Sequence, residues 1–449
     1  MNIVVTGGAG QLGAAVLQRL AQDRKVKRIE CLDIRPPMIA SAKIRFTKAD
    51  VRDPEFEKYL QDADVLIHLA FVVLGYLPRK QFDDINISGS KNVFEAAVKT
   101  GVSHILYSSS IAAYGVVPGH PIPIVEEAPR HYRHEMPYAA AKFKVEEYLD
   151  QFEKMHPKIL VTRFRPAILV GRYMDHPFGD SLRRRKIMAR SKQPMPLVWD
   201  EDVADAIILA LNQKIGGAFN VTTDEPLPPK ELAAAGGLKT FSLPKNVNIA
   251  LAHLSVMLEK LGIGKAIDPA WAKVEDGATM IVSSEKARTE LGWLPSCSTA
   301  VDLIKKFTAT APKSLDLRLK KFFRMIGLAA RLRKPGANQQ RTNTQIHLAL
   351  DGVNGGDLGL FIQQGRLTIK NEIPRPPAST VRLSADTFID LLAGNADFAS
   401  AQFMGKINTE GEPTGGMVVN AIINGFRANL QQPGLPGILS RSVAQKLET

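Results

Sequence analysis

The sequence predicts an α/β protein: a doubly wound parallel sheet with a small substrate lobe, followed by a separate α+β domain. Over residues 1 to about 311, strand-like apolar runs alternate with segments of helical spacing, the order of a parallel sheet with helices on both faces. After about residue 345 the order changes to several short strands followed by helices. The chain of 449 residues is long enough for two or three domains.

A glycine-rich turn joins the first predicted strand to the first predicted helix. Residues 2–5 form a strand-like run, residues 14–20 have helical spacing, and Gly8, Gly10 and Gly13 between them form a Gly-x-Gly-x-x-Gly pattern. One glycine makes the tight turn, one lets the backbone approach a pyrophosphate, and one lets the helix pack on the strand. Free N–H groups at the helix N-terminus favour phosphate. This stretch predicts a dinucleotide site.

An acidic residue ends the second predicted strand, residues 28–33. Asp33 follows Gly13 by twenty residues. A carboxylate at this place hydrogen-bonds the adenosine ribose hydroxyls and repels a 2′-phosphate, which favours NAD. Arg35 lies close enough to leave NADP open.

The alternation of strands and helices continues to residue 107. Strands are predicted at residues 44–46, 62–70 and 104–107, with a helix from Asn86 to Ala97. In doubly wound sheets, ligands bind at the carboxyl ends of the strands. We therefore expect the glycine turn, Asp33, Asp50, Ala70 and Ser110 to converge on one edge of the sheet.

A helix is predicted to begin at Pro137, and one of its faces carries a tyrosine and a lysine. Tyr138 and Lys142 are four residues apart and so share that face. A tyrosine phenol is a poor base at neutral pH, and a nearby ammonium lowers its pKa. This spacing alone is common on solvated helix faces, but the preceding Ser110 and the dinucleotide turn favour a catalytic pair. We expect Lys142 to lower the pKa of Tyr138.

The number and order of the motifs resemble the extended short-chain dehydrogenase/reductase family over about residues 1 to 310. We accordingly predict an NAD-binding Rossmann domain at residues 1–311, with its substrate lobe mainly at 165–200 and 225–285. The motifs are Thr6-Gly7-x-x-Gly10-x-x-Gly13, Asp50-Val51, His68-Leu69-Ala70, Asn86, Ser108-Ser109-Ser110, Tyr138-x-x-x-Lys142, Arg165-Pro166-Ala167 with Gly171, Asp202-Val203-Ala204-Asp205-Ala206 and residues 286–295.

This resemblance implies roles for individual residues. Tyr138 would be the acid/base, Lys142 would hold the nicotinamide ribose, and Ser110 would hydrogen-bond the reacting oxygen. Asn86 is similar to the helix asparagine that supports such a catalytic site. The residues implied at the cofactor are Gly7, Gly10, Gln11, Leu12, Gly13, Asp33, Asp50, Val51, Leu69, Ala70, Tyr138, Lys142 and Arg165.

Two branches of this family differ in substrate. Nucleotide-sugar epimerases and dehydratases usually have an asparagine three residues after the arginine of the Arg165 motif, where this chain has Ile168. They also have a glycine-rich basic segment before the Asp202 motif, which residues 192–199 lack. Arg165-Pro166, Ser109-Ser110-Ile111 and Phe71-Val72-Val73-Leu74 instead resemble the 3β-hydroxysteroid dehydrogenase branch.

Two apolar helical patterns outside these motifs are open to more than one interpretation. The helix predicted at residues 246–261 fits either core packing or the wall of an apolar substrate site. Residues 312–344 are predicted to form a basic amphipathic helix and linker. Its segment 313–334 either docks on one of the domains or binds a membrane surface. The apolar face of this helix comprises Leu315, Leu319, Phe322, Phe323, Ile326 and Ala330.

Short strands and helices are predicted in residues 345–449. Four strands between residues 346 and 383 precede a helix capped by Ser384 and stopped by Gly394, a short helix at 398–404, a strand at 405–411 and a helix at 417–426. This order resembles the sterol carrier protein (type 2) lipid-transfer domain over roughly residues 345–430. The resemblance implies an apolar tunnel for a sterol, acyl chain or similar lipid. Core or tunnel positions are expected for Phe403, Met404, Met417, Ile422 and Ile423, and a structural role for His347.

Composition bounds the remaining classes of function. The net charge is +13, but the basic clusters lack the interleaved aromatics of a single-strand platform, so no nucleic-acid partner is expected. Cys31 and Cys297 give neither a disulfide framework nor metal-site spacing, so no metal is expected. No apolar run reaches membrane-spanning length, and the glycine turn lies too near Met1 for a signal peptide. We expect a cytoplasmic protein and leave peripheral membrane contact and a homodimer open.

The sequence thus predicts an NAD(P)-dependent oxidoreductase with an attached lipid carrier. Its substrate would be a secondary alcohol or ketone on a hydrophobic molecule, steroid-like or another lipid. One alternative is a nucleotide-sugar epimerase or dehydratase, which would retain its cofactor through each turnover. The other is a non-catalytic lipid-binding protein whose first domain senses NAD(H).

Overall fold

The structure is a computed structural model of the chain. It describes residues 1–73, 77–174, 177–260, 266, 269–270, 279–310, 319, 322–327, 343–351, 356–370, 373–374 and 376–430. Contacts divide the chain into two compact units, Met1–Pro37 with Ala42–Phe307, and Met38–Ser41 with Thr308–Thr449. Each unit contains its own sheet and hydrophobic core.

The strands of the first unit form one large sheet and two small ones. They are β1 (Asn2–Thr6), β2 (Arg28–Asp33), β3 (Ile44–Lys48), β4 (Val65–His68), β5 (His104–Ser108), β6 (Leu160–Pro166), β7 (Ile168–Val170), β8 (Lys186–Met188), β9 (Leu197–Trp199), β10 (Gly217–Val221) and β11 (Lys239–Phe241). The large sheet is parallel, in the order β10-β6-β5-β4-β1-β2-β3. The pairs β7–β9 and β8–β11 form the small sheets.

Helices follow most of these strands. Those described in the first unit are α1 (Gln11–Gln22), α2 (Arg79–Asp83), α3 (Gly89–Thr100), α4 (Pro137–Met155), α5 (Pro177–Arg183), α6 (Asp200–Gln213), α7 (Pro229–Ala235), α8 (Lys245–Lys260), α9 (Glu285–Leu291) and α10 (Ala300–Thr310). The parallel sheet and the alternation of strand and helix confirm the predicted α/β fold class.

Strand β1 lies where the direction of the chain through the sheet reverses. It pairs with β2 on one side and with β4 on the other, and Thr6 is level with both Leu32 and His68. The loops that leave β1 and β4 therefore start side by side at the carboxyl edge. Such a reversal is where open parallel sheets form their ligand crevice.

The helix predicted at residues 86–97 begins earlier and is not uniform. It starts as α2 and continues through a π-helical turn, Asp84–Ser88, into α3. A glycine is needed where α3 begins, because a Cβ on Gly89 would lie 2.6 Å from Cγ2 of Val51. The predicted strand at 62–70 is also shorter, since Asp62 adopts a left-handed φ of 61° in the turn before it.

The second unit has a mixed five-stranded sheet covered by helices. Its strands are β12 (Thr344–Asp351), β13 (Gly356–Gln363), β14 (Arg366–Lys370), β15 (Ser379–Ser384) and β16 (Ile407–Gly411), in the order β14-β13-β12-β15-β16. Its helices include α11 (Ala385–Ala393), α12 (Phe398–Phe403) and α13 (Thr414–Leu430). Ser384 caps α11 by accepting a hydrogen bond from the N–H of Thr387, and Gly394 ends it with a left-handed φ of 85°. The separate α+β domain is confirmed.

Residues of the predicted linker lie in the core of this second unit. Leu319, Phe322 and Phe323 are buried there. The ring of Phe322 packs edge-on against Phe426 at 5.0 Å, and the ring of Phe323 stacks on Phe388 at 5.5 Å. The burial of these three residues agrees with the prediction that the amphipathic segment docks on one of the domains. Residues 311–318, 320–321 and 328–342 lie outside the described residues.

For several residues, the prediction of a core or tunnel position is wrong. Phe403 is 95% exposed, and Met404 and Met417 are also exposed, because α12 and α13 turn these residues away from the sheet. Ile423 is buried and Ile422 is half-buried against the same core. His347 is buried, and its Nε2 contacts the Asp357 carboxylate at 2.7 Å.

The apolar helix predicted at residues 246–261 forms as α8, and its role as the wall of an apolar substrate site stays a prediction. Ala252 and Val256 are buried, whereas Val247, Leu251 and Leu254 are exposed. Core packing therefore explains only one side of this helix. None of the described helices is long and apolar enough to cross a membrane.

We predict that Phe322→Ala lowers the free energy of unfolding of the second unit by about 3–5 kcal/mol, because it removes a fully buried ring from the core. The matched substitution Phe403→Ala removes an exposed ring and should change that free energy by no more than about 0.5 kcal/mol. Hydrogen exchange of strands β12 and β15 in urea measures both. Equal effects would contradict the burial of the linker aromatics.

Candidate active site

The glycine turn after β1 closes tightly on itself and on the loop after β4. Gly7 adopts a left-handed φ of 75°, and a Cβ there would lie 2.4 Å from the backbone nitrogen of Ala70. A Cβ on Gly13 would lie 2.4 Å from the carbonyl oxygen of Gly7. Gly10 is the N-cap of α1, followed by Gln11 and the buried Leu12. Side chains are thus excluded where a pyrophosphate would meet the helix N-terminus, and the turn fits a dinucleotide.

Asp33 holds this turn from the neighbouring strand. Its Oδ2 accepts a hydrogen bond from the N–H of Ala9 at 3.0 Å, and its Oδ1 accepts one from the N–H of Arg35 at 3.0 Å. An ionised carboxylate has about four acceptor positions. Two backbone bonds therefore leave Asp33 able to accept ribose hydroxyls as well.

A directional chain of hydrogen bonds runs across the carboxyl ends of β1 and β4. The N–H of Ala70 donates to Thr6 Oγ1 at 3.3 Å, and Thr6 Oγ1 lies 2.7 Å from Nδ1 of His68. Nε2 of His68 lies 3.0 Å from Ser90 Oγ, which donates to the carbonyl of Asn86 at 2.6 Å. Since the Ser90 proton is used, Nε2 of His68 donates and Nδ1 accepts from Thr6.

His68 must be neutral to serve in this chain. Burial, followed by the nearby Lys142, lowers the pKa of His68 to about 3. The imidazole therefore keeps one proton at neutral pH and links the two loops in a fixed direction.

Asn86 acts on the loop that carries Leu69 and Ala70. Its Oδ1 accepts from the N–H of Val72 at 2.7 Å, and its Nδ2 donates to the carbonyl of Val72 at 3.1 Å. The side chain is fully buried. Both ends of the amide are engaged with one backbone position, so in this structure Asn86 is a positioning residue.

Asp50 and Val51 lie beyond the end of β3. The Asp50 carboxylate forms an ion pair with Arg52, whose Nη2 lies 2.7 Å from Oδ2. Hydrogen bonding to Arg52 lowers the pKa of Asp50. The carbonyl of Val51 accepts a hydrogen bond from Nδ2 of Asn92 at 2.9 Å. The loop is therefore ordered by its own partners, and contact with an adenine ring stays a prediction.

The structure brings together Ser110, Tyr138 and Lys142. Ser110 caps a short 3-10 turn, Ile111–Tyr114, and its Oγ accepts from the N–H of Ala112 at 3.2 Å. Pro137 is the first residue of α4, as predicted, so Tyr138 lies in the first helical turn. The ring of Tyr138 packs edge-on against Phe71 at 5.7 Å.

The expected lowering of the pKa of Tyr138 by Lys142 is wrong for this structure. Burial raises the pKa of Tyr138, and a hydrogen bond with Ser110 only partly opposes that rise. Lys142 Nζ lies 5.9 Å from the centre of the Tyr138 ring and donates to the carbonyl of Ser108 at 2.7 Å. Burial also holds the pKa of Lys142 well below its usual range, against the opposing effect of Glu146. In this arrangement Lys142 is directed at Ser108, and burial and Ser110 determine the pKa of Tyr138.

The side chain of Arg165 is expected at the cofactor, but it does not reach that region. Its Nε and Nη2 donate to the two oxygens of the Glu146 carboxylate at 2.8 and 2.6 Å. Its Nη1 donates to Tyr114 Oη and to the carbonyl of Glu126, both at 2.8 Å. With every nitrogen engaged and the side chain buried, Arg165 is a structural residue of strand β6.

Glu146 is the functional residue that the sequence analysis missed. It is fully buried and also contacts Nη1 of Arg130 at 2.9 Å, Nη1 of Arg163 at 3.5 Å and Oγ of Ser109 at 2.6 Å. Burial alone would raise its pKa, but Arg165, Arg163 and Ser109 outweigh burial and lower the pKa to about 2. The available signal was its spacing, since Tyr138, Lys142 and Glu146 repeat every four residues on α4.

A second missed carboxyl lies beside the glycine turn. Asp200 is buried at the start of α6, and its Oδ2 accepts from Nε2 of Gln11 at 3.0 Å. Burial raises the pKa of Asp200 to about 7. Gly171 is required next to it, because a Cβ there would lie 1.9 Å from Oδ2 of Asp200. The side chain of Gln11 thus connects the glycine turn to the start of α6. Among the described residues, no group of three His, Cys, Asp or Glu side chains could hold a metal.

Known proteins match both parts of the chain. Residues 3–222 match the NAD dependent epimerase/dehydratase family, and residues 329–424 match the SCP-2 sterol transfer family. A UDP-glucose 4-epimerase of Streptococcus mutans is 28% identical over 363 residues, which are 71% of this chain and 100% of that protein. Each part of the chain is therefore similar to a known family, and the first match supports NAD(P) as cofactor.

Solved structures share the fold of the first part. The UDP-glucose 4-epimerase of Thermotoga maritima with UDP-glucose superposes with a TM-score of 0.55 at 22% identity, over 69% of this chain and 97% of that one. MoeE5 in complex with UDP-glucuronic acid and NAD superposes with a TM-score of 0.53 at 18% identity, over 68% of this chain and 98% of that one.

We predict that Glu146→Gln lowers the free energy of unfolding of the first unit by about 3–5 kcal/mol at neutral pH, because the buried Arg163 and Arg165 and the half-buried Arg130 lose their shared counter-charge. Glu147→Gln, at the exposed neighbouring position, should cost no more than about 0.5 kcal/mol. Urea unfolding followed by the fluorescence of Trp199 and Trp293 measures both.

The same variant has a pH signature. The pKa of Glu146 is about 2 in the folded protein, below its ordinary value of 4.5, so its stabilisation is complete above pH 4.5 and is lost as the pH falls towards 2. The difference in stability between wild type and Glu146→Gln should therefore shrink over that interval. A difference that stays constant would show that Glu146 is not held as a carboxylate.

Proposed function

We propose that this chain, an oxidoreductase of the NAD dependent epimerase/dehydratase family joined to an SCP-2 sterol transfer domain, acts on a secondary alcohol or ketone of a hydrophobic substrate. The observation that carries the proposal is the fusion itself. A linked carrier holds a water-insoluble substrate at high effective concentration near the enzyme. A nucleotide sugar, which is freely soluble, would gain nothing from such a carrier.

The proposed cofactor contacts follow the carboxyl edge of the sheet. Gly7, Gly10 and Gly13 would admit the pyrophosphate, and Asp33 would accept the ribose hydroxyls. NAD, when bound, accepts or supplies the hydride. The absence of side chains in the turn and the spare acceptor positions on Asp33 support this assignment.

Tyr138 is the proposed acid/base. Its phenol would exchange a proton with the substrate oxygen, and Ser110, its hydrogen-bond partner in the structure, would donate to the same oxygen. Lys142 would hold the nicotinamide ribose in place of its present partner, the carbonyl of Ser108. Asn86 would act through the Val72 loop by keeping the apolar wall next to Tyr138 in place.

Two features of the site favour an apolar substrate. Phe71 packs on the ring of Tyr138 and so presents an apolar face at the proposed reacting group. Ile168, at the position where nucleotide-sugar enzymes usually have an asparagine, is exposed on β7 and provides no hydrogen-bonding group. The polar part of a nucleotide sugar would meet a branched aliphatic side chain there.

A nucleotide-sugar epimerase is the second candidate, because the relative in Streptococcus mutans carries that name. The two candidates differ in the fate of the hydride. A dehydrogenase releases reduced cofactor in every turnover, whereas an epimerase returns the hydride and shows no net reduction of NAD. A third candidate, a lipid carrier that only senses NAD(H), requires that Tyr138 be dispensable.

Tyr138→Phe is expected to lower the rate of NAD reduction by about 10²–10⁴-fold, since it removes the proposed acid/base. Because burial raises the pKa of Tyr138, the wild-type oxidation rate should increase with pH beyond neutrality, and the variant should lose that increase. Tyr132→Phe, at an exposed tyrosine, is the matched control and should behave as wild type. Lipid metabolism in cells that is unaffected by Tyr138→Phe would favour the sensing carrier.

The substrate class is tested on the purified full chain. We expect native mass spectrometry and extraction to reveal a co-purifying lipid, and that lipid to drive formation of NADH, followed by absorbance. Interconversion of UDP-glucose and UDP-galactose without net NADH, together with no bound lipid, would overturn the proposal and establish the epimerase.

A further inference from the structure

Helix α8 has two apolar sides, and only one of them is covered. Ala252 and Val256 are buried. Leu251 and Leu254 are 46% and 47% exposed, and Met257 is 64% exposed. With Val247, these residues follow one another at intervals of three and four and span roughly a third of the helix circumference. A surface helix normally presents charged and polar groups there.

The small sheet β8–β11, whose strand β11 comes shortly before α8 in the chain, also exposes apolar side chains. Phe241 and Met188 are register partners in this sheet, and both side chains are exposed. Only three residues separate Phe241 from the start of α8. The exposed side of α8 and the ends of β8 and β11 are called here the α8 face.

Two stretches that flank α8 or belong to the β8–β11 sheet are rich in cations. Residues 183–192 contain six lysines and arginines and no acidic residue, and residues 236–258 contain Lys239 and Lys245 and no acidic residue. Arg184, Lys186, Lys239 and Lys245 are exposed, and Lys239 is level with Lys186 in the sheet. The acids nearby include Glu231 of α7, which packs on β8 and β11, and Glu259 near the end of α8, so the local charge is positive on balance.

From this arrangement we infer that the α8 face docks the chain on an anionic lipid bilayer. Exposed leucine, methionine and phenylalanine side chains enter the boundary between headgroups and acyl chains, while lysine and arginine contact lipid phosphates. The helix spans about 24 Å and lies in the plane of the surface. This docking surface is separate from the amphipathic segment at 313–334, whose Leu319, Phe322 and Phe323 are buried in the second unit.

The inference does not depend on the substrate. It explains why α8 exposes Leu251 and Leu254 on its outer side. A nucleotide-sugar enzyme in water would have no need for exposed leucines there. A second copy of the chain is the other occupant that an apolar face could have. Its charge argues against self-association, because two copies would bring the same cations together.

The test is flotation of the full chain with phosphatidylcholine vesicles that either contain or lack phosphatidylglycerol. We expect wild type to float with the anionic vesicles and much less with the neutral ones. Leu251→Gln/Leu254→Gln should reduce binding to anionic vesicles by about tenfold or more. Lys239→Gln/Lys245→Gln should reduce it by about fivefold per lysine and lessen its dependence on salt.

Matched variants separate docking from general changes in surface. Met155→Gln/Leu294→Gln removes two exposed apolar side chains elsewhere in the first unit, and Lys154→Gln/Lys158→Gln removes two exposed lysines. Both should bind vesicles as wild type does. Thermal unfolding and NAD binding, measured on every variant, identify any that fold poorly.

Two outcomes would overturn the inference. One is vesicle binding by Leu251→Gln/Leu254→Gln that equals binding by wild type, which would assign any membrane contact to another part of the chain. The other is a wild-type dimer that dissociates in this variant while wild type ignores vesicles, which would make the α8 face a contact between copies. Loss of lipid oxidation with intact vesicle binding would count against the proposed enzyme and not against this inference.

Discussion

The geometry of the candidate active site depends on one buried negative charge. Glu146 lies on α4, one helical turn beyond Lys142, and its carboxylate joins Arg165 of β6 to Ser109 at the end of β5. An unpaired carboxylate in this place would be very costly, so the helix and both strands must keep their relative positions. Ser110 follows Ser109 directly, and Tyr138 lies two turns before Glu146 on the same face. The ion pair thereby sets the distance between the serine and the tyrosine without taking part in their chemistry.

The cofactor side is organised by neutral groups instead. The chain from Ala70 through Thr6, His68 and Ser90 to Asn86 has a defined donor and acceptor at each step. It holds together the two loops that diverge at the carboxyl edge of the sheet. A protonated Nδ1 of His68 would leave the Thr6 hydroxyl proton without its acceptor, and burial disfavours that state. The crevice therefore lies between a network of neutral hydrogen bonds around His68 on one side and the buried Glu146 carboxylate on the other.

The parts of the site that could be predicted from sequence are those governed by local spacing. Gly7, Gly13 and Asp33 lie where the turn and strand periods place them, and Tyr138 follows the helix-initiating Pro137. The spacing of residues does not show how deeply their side chains are buried, however, and the wrong predictions share that cause. Glu146 on a helix looks like one member of a solvated ion pair, and Arg165 looks available to a cofactor. The outward orientation of Phe403 likewise depends on how α12 rests against the sheet, which no local pattern reports.

The burial of Phe322 and Phe323 has a consequence for how the two functions could have been combined. A carrier module cut at its first strand would leave behind three of its own core side chains, Leu319 among them. The smallest piece that could be exchanged between proteins by recombination therefore starts upstream of β12. The joint between the two units is in this respect inherited with the second unit, and its length is constrained by packing as well as by the distance it has to span.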